Sequence, residues 1–165
     1  EVQEVYDINS QYVRDQLAEE GYDLFLSAAY PQIFSSGIIE IPKKGAVNFH
    51  PSALPRCRGA HPHYWGLAEG EEYGGVTAHF MTKRLDDGDI IAQIKFEIKE
   101  LNYKEHYNKI EYETVNLVKK VEEYFYAENR ASTPQKHTEA TYYRNNRKIH
   151  HRIFWNIHDA DEILN

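Results

Sequence analysis

The chain is short of several things, and each shortage narrows what it can be. Its 165 residues hold one cysteine, Cys57, so no internal disulfide can staple the fold, which fits a reducing compartment. Nothing around Cys57 marks a reactive thiol, and it reads as an ordinary small side chain. No apolar run approaches the roughly 20 residues that span a bilayer. The acidic opening Glu1-Val2-Gln3-Glu4 lacks the basic start of a secretory signal. The expected location is therefore cytoplasmic, with no membrane partner. Basic residues are also in deficit: 19 Lys and Arg stand against 26 Asp and Glu, a net charge of −7. A domain that grips a polyanion carries the opposite balance, because its cations neutralise phosphates. A large RNA is thus disfavoured as a partner of this segment.

What is present suffices to fold. With 41% hydrophobic and 13% aromatic residues the chain lies outside the low-hydrophobicity, high-charge regime of disorder. A domain of this size buries roughly 70% of the surface its unfolded chain exposes. There is no internal repeat, low-complexity tract or linker, so one α/β domain spanning 1–165 is the expectation.

Asn9 or Ser10 is a plausible N-cap for a helix that carries Tyr12, Val13 and Leu17 to a stop at Gly21. Tyr22 to Ala29 is a short apolar run suited to a buried strand, and Gly45 to His50 is a second one ending at Pro51. A loop rich in Pro, Arg, Gly and His fills 51–62, and Tyr64 to Glu69 forms a short helix. Gly74-Gly75 opens a strand over Val76 to Met81, which a turn at Leu85 to Asp89 joins to another over Ile90 to Ile98, an antiparallel pair. Lys104 to Ala127 is a longer helix whose core stripe is Tyr107, Ile110, Thr114, Leu117, Val118, Val121 and Phe125. The tail from Tyr142 to Trp155 mixes strand-like and basic residues. Asp159-Ala160-Asp161-Glu162 has capping-box spacing, so a helix is expected to begin near the last residue.

Asn48-Phe49-His50 directs two polar side chains to the same side of an extended strand. They lie at its carboxyl end, where open α/β sheets place their ligands. An Asn amide and an imidazole converging there can donate to an oxygen that becomes negative during acyl transfer. The same pattern also suits a loop-capping Asn and a satisfied His, and the spacing alone does not decide. His79 alternates with Phe80 along a strand and reads as structural. His61-Pro62-His63 and His150-His151 invite a metal. A ligand set must converge in three dimensions, however, and no Cys partner stands at suitable spacing. They read as solvent-side or substrate-side histidines.

The wider string Asn48-Phe49-His50-Pro51-Ser52-Ala53-Leu54-Pro55-Arg56-Cys57-Arg58-Gly59-Ala60 is followed by Gly75-Val76-Thr77-Ala78-His79 and Leu85-Asp86-Asp87-Gly88-Asp89-Ile90-Ile91. This order resembles the formyltransferases that use 10-formyltetrahydrofolate, with their Asn-x-His-Pro-Ser, Gly-Val-Thr and Leu-Asp-x-Gly signature. The likeness runs from about Asp23 to Gln93. It implies a Rossmann-like α/β domain with a mostly parallel sheet flanked by helices, and folate near the strand ends. It implies 10-formyltetrahydrofolate as cosubstrate, no metal, and a catalytic triad of Asn48, His50 and Asp86, with Asp87 the secondary candidate for the aspartate. In that scheme Asn48 and a protonated His50 stabilise an oxyanion, while Asp86 orients the imidazole and relays protons.

Cofactor contacts, largely through backbone, are implied at Tyr30, Ile33 and Phe34 and at Thr82, Lys83, Arg84 and Asp87. Substrate-side contacts are placed at Ser52, Arg58, Gly59 and His61. The likeness also implies a first βαβ portion before Glu1, so the domain is expected to be partial, truncated at both ends.

Members of this family formylate glycinamide ribonucleotide, initiator methionyl-tRNA or nucleotide-linked amino sugars, and relatives hydrolyse the formyl-folate. Arg58-Gly59-Ala60-His61-Pro62-His63-Tyr64-Trp65 is most similar to the sugar enzymes, and Pro55 to Ala60 also resembles the tRNA enzymes. The acidic charge turns the expectation toward a small primary amine, with a nucleotide sugar ahead of tRNA. A hydrolase, or a folate- or sugar-binding module without chemistry, remains as an alternative. The sequence carries no signal for oligomeric state.

Overall fold

The computed structural model describes residues 4–144, and its first helix starts where the capping signal places it. The Ser10 hydroxyl accepts from the Val13 amide at 3.4 Å, and helix α1 (Gln11–Glu20) stops at Gly21, which sits at φ 67°. Then follow β1 (Phe25–Ala28), a short α2 (Ser36–Ile39), β2 (Ala46–His50), β3 (Arg58–Gly59), α3 (Pro62–Ala68), β4 (Tyr73–Phe80), β5 (Ile90–Glu97), α4 (Tyr103–Tyr126) and β6 (Tyr142–Tyr143). The capping box at 159–162 and His150-His151 lie outside the described residues.

The main sheet has the order β1-β2-β4-β5. β1 and β2 are parallel, β2 and β4 antiparallel, and β4 and β5 the expected antiparallel pair. The α/β class and flanking helices stand. Among the described strands the main sheet is mixed, with one of its three pairings parallel, where a mostly parallel sheet was expected. Loop length explains the antiparallel β4–β5 pair, since parallel neighbours need a crossover of about a dozen residues or more. The link 81–89 is too short for one and returns the chain alongside β4.

β4 begins earlier than expected, with Gly74 and Gly75 inside the strand. A Cβ at Gly75 would lie 2.6 Å from the Ile94 carbonyl oxygen, so the neighbouring backbone leaves no room for a side chain. The small sheet β3-β6 was not anticipated, because β3 lies in the loop expected over 51–62.

The core joins Val47 and Phe49 of β2, Val76 and Ala78 of β4, and Ile110, Leu117 and Val121 of α4. Strand side chains alternate between faces. Once these residues point at α4, Asn48, His50, Thr77 and His79 must point to the opposite face. Helix α4 is fixed at its start by a capping box between Asn102 and Glu105. Its buried line is His106, Ile110, Leu117 and Val121, whereas Tyr107 and Val118, expected in the stripe, are 43% and 44% exposed. Each is one residue, roughly 100° of helix, away from that line. His106 escaped notice because a polar side chain occupies a core position. No helix among the described residues is long and apolar enough to cross a membrane.

His106 packs edge-on to Phe96, ring centroids 5.9 Å apart. Burial, helped by nearby His63, holds its pKa at about 4 against an ordinary 6.5. Between those values the unfolded chain takes up a proton that folded His106 refuses, so its contribution to stability is lost as pH falls through that window. Urea unfolding from pH 7 to 4.5 should give a shallower pH dependence for His106→Leu than for the parent. Parallel profiles would show that His106 does not titrate in this way.

Candidate active site

The β2–β4 register sets Asn48 opposite His79 and His50 opposite Thr77, which gathers four polar side chains on the face away from α4. The pairing of β4 with β5 slips between Ala78 and His79, and such a bulge re-aims the local side chain. The Phe80 carbonyl lies 2.9 Å from His79 Nδ1 and can only accept, so that nitrogen donates. His79 Nε2 is thereby presented to Asn48 Nδ2 at 3.4 Å and to Asp86 Oδ1 at 3.6 Å.

On the other side, His50 Nε2 donates to the Cys57 carbonyl at 2.8 Å. Its Nδ1 faces Asp86 Oδ2 at 3.6 Å, a Coulombic contact beyond hydrogen-bond length. That same Oδ2 accepts the Gly59 amide at 2.8 Å. One carboxylate is therefore bracketed by two imidazoles and a backbone N–H, with His50, His79 and Asp86 only 4%, 2% and 7% exposed.

Local backbone explains this aim. Asp86 adopts φ 51°, a left-handed conformation that Asp tolerates better than most residues. Gly88 follows because a Cβ there would strike the Phe80 carbonyl. Gly59, at φ 95°, lies so close to the Tyr143 carbonyl that no side chain fits.

Burial pushes the His50 pKa down. The Asp86 charge and the Cys57 carbonyl oppose this without overcoming it, while His79 and Arg58 reinforce it. The resting imidazole is thus turned toward the neutral form, whereas the sequence reading has it protonated while it stabilises the oxyanion. For Asp86 burial works upward, but the neighbouring His79 and His50 rings and the Gly59 amide outweigh it and hold the carboxyl below its ordinary range. The resting pair is a carboxylate beside a neutral imidazole, and a proton arriving on His50 Nδ1 would meet that carboxylate.

Of the residues expected on the substrate side, His61 is exposed with its ring 6.4 Å from that of His63, and the other three are held as follows. The Ser52 hydroxyl donates to the Arg56 carbonyl at 2.7 Å, and the Gly59 amide holds Asp86. Arg58, 1% exposed, donates Nε and Nη2 to Gln135 Oε1 at 3.1 and 2.6 Å, meets Asp87 Oδ1 at 3.1 Å, and bonds the Tyr142 hydroxyl. Thr77 Oγ1 donates to the Ser52 carbonyl at 2.7 Å and accepts the Leu54 amide at 3.2 Å, fixing the loop after β2.

The residues expected at the cofactor fall into two groups. Thr82, Lys83, Arg84 and Asp87 line one open cleft of about 520 Å³ with Phe80, Gly88, Asp89 and His137. Tyr30, Ile33 and Phe34 do not line it. They follow β1, which runs parallel to β2, so they leave the sheet at the edge where His50 ends its strand. Tyr30 and Ile33 are 38% and 72% exposed, and the Tyr30 and Phe34 rings pack 5.1 Å apart.

Among the described residues no three His, Cys, Asp or Glu side chains lie together as a metal site would require, and His63 Nε2 is 3.0 Å from the Tyr103 hydroxyl. Cys57 is buried and its thiol is pushed up to about 11, which suits its reading as an inert side chain. Sequence reasoning missed His79 and Gln135. Period-two alternation could have put His79 on the face of Thr77, but only strand register sets it against Asn48.

The Rossmann-like fold brings Asn, His and Asp together at the carboxyl end of β2, where open α/β sheets receive their ligands. Residues 5–121 match the formyl transferase family, and the chain belongs to it. Methionyl-tRNA formyltransferase of Staphylococcus aureus strain JH1 is 34% identical over 143 residues, which is 86% of this chain and 46% of that protein. The chain thus spans about half the length of the curated relatives it matches. The fold is shared with the formyltransferase PseJ of Anoxybacillus kamchatkensis, solved with a UDP-linked formamido sugar and tetrahydrofolate: TM-score 0.74, 23% identity, 98% of this chain and 80% of that one. HypX of Aquifex aeolicus, solved with tetrahydrofolic acid, gives TM-score 0.74 and 22% identity over 92% of this chain and 27% of its own.

Replacing Asp86 by Asn removes the one charge that raises His50. The His50 imidazole, followed by NMR, should then titrate at lower pH than in the parent. An unmoved midpoint would mean that the carboxylate does not act on His50.

Proposed function

We propose that this domain transfers a formyl group from 10-formyltetrahydrofolate to a primary amine. The observation that carries the reading is the Asp86 carboxylate held between His50 and His79, 3.6 Å from each, beside Asn48. Family membership supplies the donor class, and the fold neighbours PseJ and HypX hold tetrahydrofolate in their own structures.

In this mechanism the amine nitrogen attacks the formyl carbon, and the carbonyl oxygen takes up negative charge. Asn48 has two amide hydrogens; one is directed at His79 Nε2, and the second serves the oxyanion. His50, neutral at rest, accepts the proton lost by the amine on Nδ1, where Asp86 stabilises the imidazolium. The carbon–N10 bond then breaks as that proton is delivered to N10, releasing tetrahydrofolate and a formamide. Thr82 to Asp87, with Tyr30, Ile33 and Phe34, are assigned to the folate and His61 to the acceptor. Ser52, Arg58 and Gly59 are reassigned from substrate contact to holding the site together.

The acceptor we favour is a nucleotide-linked amino sugar, supported by the net charge of −7 and by the string Arg58 to Trp65. Methionyl-tRNA is the second reading, supported by the 34% identity to tRNA formyltransferases.

Release of tetrahydrofolate should be measured with nucleotide-linked amino sugars, glycinamide ribonucleotide and charged initiator tRNA. Acceptor-dependent release is expected, and Asn48→Ala should lower the rate about a hundredfold to a thousandfold, with His50→Ala and Asp86→Ala also impaired. Release without acceptor would instead identify a hydrolase. Absence of release from folded protein, or parental rates in all three variants, would overturn the proposal.

A further inference from the structure

The site is assembled from two loops far apart in sequence, and one buried side chain ties them together. Gln135 is 6% exposed. Its Nε2 donates to the Asp86 carbonyl at 3.0 Å and to the Gly88 carbonyl at 2.7 Å. Its Oε1 accepts Nε and Nη2 of Arg58 at 3.1 and 2.6 Å. Both amide hydrogens and the carbonyl oxygen are engaged, a pattern that needs a carboxamide: Glu lacks the donors, and Met lacks donors and a strong acceptor.

The consequence lies in what those partners do. Asp86 and Gly88 frame the turn that presents the carboxylate. Arg58 sits between Cys57, whose carbonyl orients His50, and Gly59, whose amide holds Asp86 Oδ2. Gln135 is itself placed by a strap running from β5 to β3. The amide and carbonyl of Thr133 each bond Ile90 at 2.8 Å. Farther along, the Thr141 hydroxyl accepts the Cys57 amide at 2.8 Å, and β6 pairs with β3.

We propose that Gln135 is a positioning residue for the reaction, locking the Asp86 turn to the Arg58 loop so that the carboxylate is held against His50. Gln135 touches neither reacting group and acts through Asp86 and its turn. The catalytic consequence rests on the formyl-transfer reading, whereas the effect on His50 does not.

The test uses the 165-residue chain carrying Gln135→Met, which keeps the shape without the carboxamide, and Gln135→Leu, which is shorter and also uncharged, so that neither variant adds a charge near His50. Folding is verified by circular dichroism. The deciding readout is the His50 titration midpoint by NMR, because the charged or titratable groups acting on His50 are Asp86, His79 and Arg58. In a folded variant the carboxylate should retreat and the midpoint should fall, in the direction set by Asp86→Asn. The turnover number should drop on the order of a hundredfold, as a misplacement near 1 Å can produce.

A parental midpoint in a folded variant overturns the proposal, even where turnover falls. Failure of both variants to fold also overturns it, since Gln135 would then be a stability element only. A parent that folds but does not turn over sinks the formyl-transfer reading alone, and the midpoint still decides the role of Gln135.

Discussion

A buried carboxylate is the constraint around which this domain is arranged. Taking one ion out of water costs several kcal/mol even after the protein relaxes, so Asp86 at 7% exposure needs compensation from fixed dipoles and nearby rings. The Gly59 amide supplies a hydrogen bond, and the His50 and His79 rings approach from either side. Each partner comes from a different element, and none can move far without exposing the cost. The carboxyl group remains ionised despite burial because these groups outweigh desolvation. His50 goes the other way, since for it burial outweighs the same carboxylate. Two neighbours in one cavity are thus set to complementary states, an anion beside a neutral base.

That arrangement accounts for features of the sequence that composition leaves unexplained. Gly59 must be glycine because its amide reaches Asp86 while its Cα lies against the Tyr143 carbonyl. Gly88 must be glycine because the turn carrying Asp86 folds back on Phe80. A second acidic residue, Asp87, is met by Arg58 at 3.1 Å and by His137 at 3.0 Å, which leaves Asp86 alone facing the imidazoles. Arg58 is therefore more useful inside the protein than on a substrate. Removing such a guanidinium would strand a carboxylate and a carboxamide together.

Much of the scaffold was legible because its causes are local. Ser10 and Gly21 bound the first helix through capping chemistry, and the largely apolar runs before Ala29 and His50 are strands, although Leu26 of the first is 55% exposed where burial was expected. The polar pair Asn48 and His50 was legible too, since alternation alone puts both on one face, and motif order pointed to Asp86. The rest depends on register and on contacts across long separations. His79 joins Asn48 only when β4 pairs antiparallel with β2, and Gln135 lies 49 residues beyond Asp86 in the chain. The sheet's mixed direction was hidden in the same way, because no strand's composition sets the direction of its neighbour. His106 shows the converse case: a polar residue in a core line that hydrophobic periodicity passes over.

The neutrality of His50 bears on how one scaffold can serve different acceptors. An imidazolium at rest would stabilise an oxyanion directly but could not take a proton from an incoming amine. A neutral ring can take that proton, and the adjacent carboxylate lowers the cost of the charge that appears. In the proposed reaction the chemistry at Asn48, His50 and Asp86 asks only for an amine nitrogen within reach, and nothing in those three side chains reads the rest of the acceptor. On that proposal discrimination comes from surfaces outside the three. Family membership therefore bears on the chemistry more than on the substrate. Similarity at 34% identity to tRNA enzymes and a fold shared with a nucleotide-sugar enzyme are compatible facts about one fold.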